Sequence, residues 1–271
     1  AVLLIDGPIE NRRLQEAADS VVARHEILRT SFNLLAGMEM PLQVIDVARS
    51  IRIGELTALE AGAAVRWSNE EPFRVSLVRT GKEKQALVLS LSPLCGDVWS
   101  MKNLIAELAH QLGGGQPKVK SEELVQYTQF TEWQRELLES GREEDEKGRE
   151  YWRRQVENLP ETIELPGEQK AGDQGSRGTA SVSVKLDSEL LARARAVATS
   201  KRVSVGMVLL AAWQVLLYRL STAEQLLIEH GTAARKYKEM ESGIGQYMTW
   251  LPLKGQLTPK QTFSEVLNKL A

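Results

Sequence analysis

The sequence predicts a two-lobed α/β protein, and three observations predict it. Short β-like and helical segments alternate through residues 1–159 and again after residue 180. Between the two runs, LPETIELPGEQKAGDQGSRGT (159–179) has the Gly- and Pro-bearing polar composition of a linker. With 271 residues, 42% hydrophobic and 26% charged, the chain has length for two lobes and apolar content for their cores. The expected division is 1–159 for an N-terminal lobe, 160–179 for the linker and 180–271 for a C-terminal lobe.

Taken in order, VLLI opens as a strand, and Leu14, Ala17, Ala18, Val21, His25 and Leu28 recur at helical spacing through residues 10–28. RTSFNLL and PLQVIDV read as strands around the turn Ala36–Gly37, and IRIGEL as another. A helix over 56–70 ends before Glu71-Pro72, because a residue before proline resists helical dihedrals. VSLVRT and QALVLSLS flank the turn segment GKEK and form a hairpin. Trp99–Leu112 is an amphipathic helix closed by Gly113-Gly114-Gly115. The polar link GGGQPKVKSEE leads to a helix striped by Tyr127, Phe130, Trp133, Leu137 and Leu138. Pairs such as Glu143→Lys147 and Glu150→Arg154 support the next helix at i,i+4 spacing. After the linker, ASVSVKL alternates like a strand, followed by helices at 188–200 and 204–220. QLLIEHG and MTWLPLKGQL are the last two strands, and a helix ends the chain.

Composition excludes several classes. Net charge is 34 − 36 = −2, so no global field recruits nucleic acid or an anionic membrane. A single cysteine forms no internal disulfide, and nothing points to secretion, which leaves the cytoplasm as the expected location. The apolar run at 203–220 is interrupted by Gln214 and Arg219 and reads as a buried core helix, not a bilayer span. The N-terminus starts in mid-strand and the C-terminus stops in mid-helix, so the chain reads as a fragment of a longer polypeptide with an incomplete second lobe. Phosphate loops, dinucleotide fingerprints, paired metal-ligand spacings and nucleophile elbows are all absent from the pattern, and no metal is expected.

One stretch stands out. LSLSPLCGDVWSM (89–101) is a strand running through a turn into a helix. Cys95 could act as a nucleophile near Asp97, but His25, His110 and His230 are all distant in sequence, and a buried free cysteine at a strand end is commoner. Asp97 could cap the helix through its first-turn N–H groups. It could equally be buried against a distant arginine, since an unpaired buried carboxylate is costly. Either role accounts for it.

Four blocks, in order, resemble the condensation domains of nonribosomal peptide synthetases. ARHEILRTSF (23–32) is similar to that family's R-H-E-x-L-R-T-x-F motif, and FTEWQRELLES with EYWRRQVENLPETIELP to its segment leading to Y-W…L…L-P. VGMVLLAAWQVLLYRLS resembles its long helix, and IEHGTAARKYKEMESGIGQYMTWLPLK its G-T…G-R…I-G-x-F-V-N-T-L-P-L-R block. The resemblance implies two chloramphenicol-acetyltransferase-like lobes in a V. A tunnel between them would admit two carrier-protein phosphopantetheine arms, the only cofactor groups implied, with none bound directly. It also implies transfer of an acyl or peptidyl group from a donor thioester to the amine of an acceptor thioester.

The family signature, H-H-x-x-x-D-G, falls on the quoted corner. Alignment on Asp97 sets Ser92 and Pro93 on the two histidines and Val98 on the glycine, and Thr249 takes the asparagine of the V-N-T segment. In the family the second histidine serves the acceptor amine and its transition state, and proline has neither a titratable group nor an N–H to do so. The resemblance makes Asp97 structural and gives Arg235, aligned with the G-R pair, as its partner. Cys95, Trp99, Thr249 and Trp250 are the other candidates for facing the tunnel. The leading expectation is a condensation-like domain that is impaired or non-catalytic. It would serve as a docking surface for carrier proteins, neighbouring synthetase domains or a recruited tailoring enzyme. Two other readings remain open: an active domain forming amide bonds by proximity alone, and a stand-alone CoA-dependent acyltransferase relative.

Overall fold

A computed structural model describes residues 1–56, 71–79, 84–115, 123–160, 162–168 and 182–270. All of the expected helix at 56–70 but Leu56, all but Lys84 of the GKEK turn and most of the linker lie outside the described residues. The chain forms two compact units, residues 1–146 with 231–249 and residues 147–230 with 250–271.

In the first unit, β1 (Val2–Asp6) is followed by α1 (Asn11–Arg24), whose Leu14, Ala17, Ala18, Val21 and Val22 are all buried. The helix stops earlier than its apolar period does. His25 is extended (φ −117°, ψ 106°), and Glu26–Arg29 form a single 3-10 turn, so His25 lies outside the helix in which its spacing had set it. The tertiary reason is Glu107: His25 Nε2 lies 2.8 Å from its Oε2, and Arg24 donates to its Oε1. β2 (Thr30–Asn33) and β3 (Leu42–Ile45) then pair as an antiparallel hairpin, with Gly37 at φ +86° in the turn between them.

β4 (Gly54–Leu56), β5 (Phe73–Arg79) and β6 (Lys84–Leu91) join β1 in a sheet of order β1-β6-β5-β4. β6 is antiparallel to both neighbours, and β4 runs parallel to β5. Alternation along the central strands feeds two faces. Phe73, Val75, Leu77, Leu87, Leu89 and Leu91 join the main core with residues of α1 and of α2 (Val98–Leu112), while Val78, Ala86 and Val88 form a smaller cluster with Leu56. Each fully buried leucine here stabilises the fold by roughly 1.5–3 kcal/mol. α3 (Tyr127–Glu139) begins with a reciprocal cap in which the Gln129 side chain accepts from the Gln126 N–H at 2.9 Å. α4 (Glu143–Val156) follows, and from Lys147 on it belongs to the second unit.

The second unit contains α5 (Ser188–Lys201), α6 (Val205–Ser221), β7 (Gln225–Thr232), β8 (Thr249–Gln256) and α7 (Phe263–Leu270). Asp187 and Ser204 cap the starts of α5 and α6 by accepting the N–H of Leu190 and Met207. Ala198, Val208, Ala211, Leu217, Leu226, Leu257, Val266 and Leu267 form its core. Two expectations change here. Residues 182–187, the described part of ASVSVKL, form no strand: alternation supplies a face, but a ladder needs a partner edge. Among the described residues α6 is covered on one side only, with Leu209, Trp213, Leu216 and Leu220 between 44% and 50% exposed, whereas its composition indicated a core helix enclosed all round. No single helix among the described residues is long and apolar enough to cross a membrane.

The Glu107 cluster ties α2 to the end of α1. Burial works to raise the Glu107 carboxyl, but the hydrogen bond and charge of His25, with Arg24 beside them, hold it below the ordinary 4.5. A depressed carboxyl contributes stability above its unfolded pKa and loses it as pH falls through the folded one. The wild-type chain is therefore expected to lose stability as pH drops below about 4.5. Glu107→Gln should cost about 1–3 kcal/mol near neutrality and flatten that acid limb, as read from urea unfolding at a series of pH values.

Candidate functional site

The corner between β6 and α2 is built by a tight turn. Cys95 N–H donates to Ser92 O at 2.9 Å, and Ser92 N–H donates to Pro72 O at 2.7 Å. Gly96 is required by close approach: a Cβ there would lie 2.4 Å from Leu91 Cδ2 and 3.0 Å from Ser100 Cβ. Asp97 ends the turn and caps α2, its Oδ1 accepting from the Ser100 N–H at 2.7 Å and the Ser100 hydroxyl at 2.9 Å.

The same carboxylate takes a fork from Arg235, from the segment 231–249 of the first unit. Arg235 Nη1 donates to Oδ2 at 2.7 Å and Nη2 to Oδ1 at 3.0 Å, with side-chain exposures of 3% for Arg235 and 1% for Asp97. Asp97 thus does both things that the residues alone left open. Met248 N–H donates to Oδ2 at 2.9 Å. Arg235 Nη2 also donates to the Ser100 hydroxyl at 2.9 Å, and its guanidinium lies over the Tyr247 ring at 4.3 Å. Ser100 completes the knot: its hydroxyl meets Gly245 O at 2.8 Å and the Gly245 N–H at 3.1 Å. Gly245 admits no side chain, since a Cβ would fall 2.2 Å from the Tyr127 ring. Burial pushes the Asp97 carboxyl up, but the hydrogen bonds from Arg235 and Ser100 outweigh it and hold it below the ordinary 3.8. Burial also pushes the Tyr247 phenol up to about 12.

The remaining residues singled out by sequence divide by direction. Ser92 is buried, and its hydroxyl accepts from the Leu94 N–H at 3.3 Å. Cys95, expected to face a channel, is 0% exposed and packs in the main core of the first unit. The correction has a physical basis: a small thiol at a strand end fills core volume, and burial pushes its pKa up to about 12 against the opposing hydrogen bond of Ser92. Pro93, Leu94, Val98 and Trp99 turn outward. The Trp99 indole N–H donates to Glu241 O at 3.2 Å, and Asn103 donates to the same oxygen at 2.7 Å. Thr249 is exposed and directly follows Met248. Trp250 belongs to the second unit and is 58% exposed.

Ser92, Cys95, Asp97 and Ser100 therefore all point inward, and the outward surface from Pro93 to Trp99 is hydrocarbon and indole, with the Lys102 ammonium 5.4 Å from the Trp99 ring centroid. Among the described residues no group of three or more His, Cys, Asp or Glu could hold a metal ion. Sequence reasoning had assigned no role to Ser100, Gly245, Tyr247 or Met248. A signal existed for Ser100 alone, in the aspartate three positions before it.

A family model described as Condensation domain matches residues 1–271. Chondramide synthase cmdD of Chondromyces crocatus is 28% identical over 290 aligned residues, covering 99% of this chain and 7% of that protein. The condensation domain from the monacolin K polyketide synthase MokA superposes with a TM-score of 0.82 at 22% identity, over 99% of this chain and 65% of that one. The X-domain in its complex with OxyB from teicoplanin biosynthesis gives 0.82 at 24% identity, over 99% and 62%. The chain thus spans less than a tenth of the curated relative and under two thirds of these solved chains. The structural likenesses carry the fold, which is mixed α/β of the chloramphenicol-acetyltransferase-like class.

Two outcomes follow from this geometry. Asp97→Ala, which strands the Arg235 cation, should cost about 3–5 kcal/mol in urea unfolding, and Arg235→Lys less, since it keeps the charge and loses the fork. The depressed Asp97 carboxyl adds stability that is present above 3.8 and lost as pH falls. Cys95 should resist iodoacetamide in the native chain and react on unfolding, as read by intact mass.

Proposed function

The chain belongs to the condensation-domain family, found in the synthetases of natural-product biosynthesis, and from that premise we propose that it binds carrier-tethered thioesters without acid–base catalysis. The tethered groups are acyl or aminoacyl units on phosphopantetheine arms, supplied by carrier domains of the same assembly. The observation that carries the reading is the direction of the corner's side chains. Ser92, Cys95 and Asp97 are turned in and engaged, and Pro93, Leu94, Val98 and Trp99 face out.

Amide formation on a thioester requires the acceptor amine to attack the carbonyl carbon. A C–N bond forms, the C–S bond breaks, the thiolate leaves and the amine gives up a proton. No outward side chain of the corner can accept that proton. The Pro93 ring has no lone pair available for it, the Asp97 carboxylate is sealed by Arg235, Ser100 and Met248, and the Cys95 thiol is buried. A positioned acid or base contributes typically ~10²–10⁴-fold, and that factor is missing here. Co-location of donor and acceptor would still raise their effective concentration.

A non-catalytic domain of this fold can persist as a recruiting surface. The related X-domain, solved as a complex with OxyB, supports that reading for this chain. The intact Asp97–Arg235 knot fits a scaffold role, because it holds the segment 231–249 in place whether or not chemistry occurs beside it.

The test is single-turnover mass spectrometry on the domain within its parent polypeptide, with donor and acceptor loaded on their carriers. Product is expected to form no faster than from the same loaded carriers mixed free of the domain, while carrier binding by fluorescence anisotropy persists. Turnover well above that background would overturn the reading.

A further inference from the structure

A second concavity of the first unit, of about 410 Å³, is lined by Val125, Trp133, Tyr237, Glu239 and Met240. None of these residues takes part in the corner just described. Trp133 comes from α3; Tyr237, Glu239 and Met240 come from the segment that also carries Arg235. The Trp133 and Tyr237 rings meet edge to face, centroids 5.6 Å apart and planes at 86°. Such a pair encloses a right-angled corner walled by two π-faces. The walls are backed by packing: Phe130 lies 6.1 Å behind Trp133, and Met240 is buried with Phe130 and Tyr247.

The chemistry of the lining selects its occupant. Aromatic faces attract cations through their quadrupole, and among the described residues Glu239 is the one charged residue of the lining. Tyr237 already has an ammonium near it, Lys236 Nζ at 5.8 Å from the ring centroid, whereas no cation lies over the Trp133 ring among the described residues. The cleft is also open. Trp133 and Tyr237 are 39% and 42% exposed, so it is a notch in a surface, not a cavity enclosing a small molecule. A notch of this kind takes the tip of a side chain presented by another surface.

We propose that this cleft receives an arginine or lysine side chain of a partner polypeptide, its cation held between the Trp133 and Tyr237 faces and balanced by Glu239. An aliphatic tip would contact the same walls but leave the carboxylate unanswered, and an acidic tip would be repelled. The inference stands apart from the question of turnover, since it concerns a different surface and requires no reaction.

The test titrates the full chain with capped pentapeptides, Gly-Gly-X-Gly-Gly, in which X is arginine, lysine, norleucine or glutamate. The Trp133 indole N–H, assigned by difference with Trp133→Phe, is followed by NMR. The arginine and lysine peptides should shift it with an affinity about two- to fivefold above norleucine, which keeps lysine's straight hydrocarbon stem without the ammonium, and the glutamate peptide should bind least. Glu239→Gln, a surface change that leaves the core untouched, should bring the lysine peptide down to the norleucine level. Equal binding of lysine and norleucine peptides, a preference that survives Glu239→Gln, or no shift with any peptide would each overturn the proposal.

Discussion

The structure of the first unit depends on a single carboxylate. Asp97 accepts from the helix it caps, from the guanidinium of Arg235 and from the Met248 N–H, so the start of α2 and the segment 231–249 converge on two oxygens. Such a pair is not retained for its energy alone, because desolvating both charges offsets much of their attraction. What it supplies is position. A carboxylate buried this deeply tolerates one arrangement of donors, and any displacement of the 231–249 segment leaves a charge without compensation. Ser100 makes the arrangement stricter by engaging Asp97, Arg235 and both polar groups of Gly245 with one hydroxyl.

On the proposed reading, that frame stands apart from the chemistry beside it. In a condensing enzyme the corner would both hold the fold and present a titratable group to the reacting amine. Here the holding function is complete, and the presenting positions carry a pyrrolidine ring and a serine whose hydroxyl is occupied by its own turn. The two functions can part because they use opposite faces of the same few residues. Inward groups answer to the core and to Arg235; outward ones answer only to whatever binds. On that reading, loss of the outward set would cost the fold little, and a domain of this family could keep its architecture while its role changed.

Much of the fold was legible because local pattern and tertiary packing agree. The apolar runs VSLVRT and QALVLSLS marked the strand pair of β5 and β6, and Leu14, Ala17, Ala18 and Val21 marked the covered stripe of α1. Pattern failed where a distant partner decides. His25 continues the apolar period of α1, yet Glu107, some 82 positions away, draws it out of the helix. Val182 and Val184 alternate like a strand and remain 87% and 79% exposed, since alternation cannot provide a neighbouring edge. At the site, the spacing from Asp97 to Ser100 announced a cap, whereas Arg235 lies 138 positions on and was legible only through family resemblance. The inward turn of Cys95 was the commoner outcome for a lone thiol, and the resemblance drew it outward.

One feature of the second unit bears on how such a chain behaves in a test tube. Leu209, Trp213, Leu216 and Leu220 form a stripe on one face of α6 that the described residues leave about half exposed. Such a stripe is adhesive, and its stickiness rises with protein concentration because two molecules can shield each other where one cannot shield itself. Handled by itself at high concentration, the polypeptide would tend toward dimers and larger clumps, and a mild detergent or a fused solubilising partner would act on this helix first.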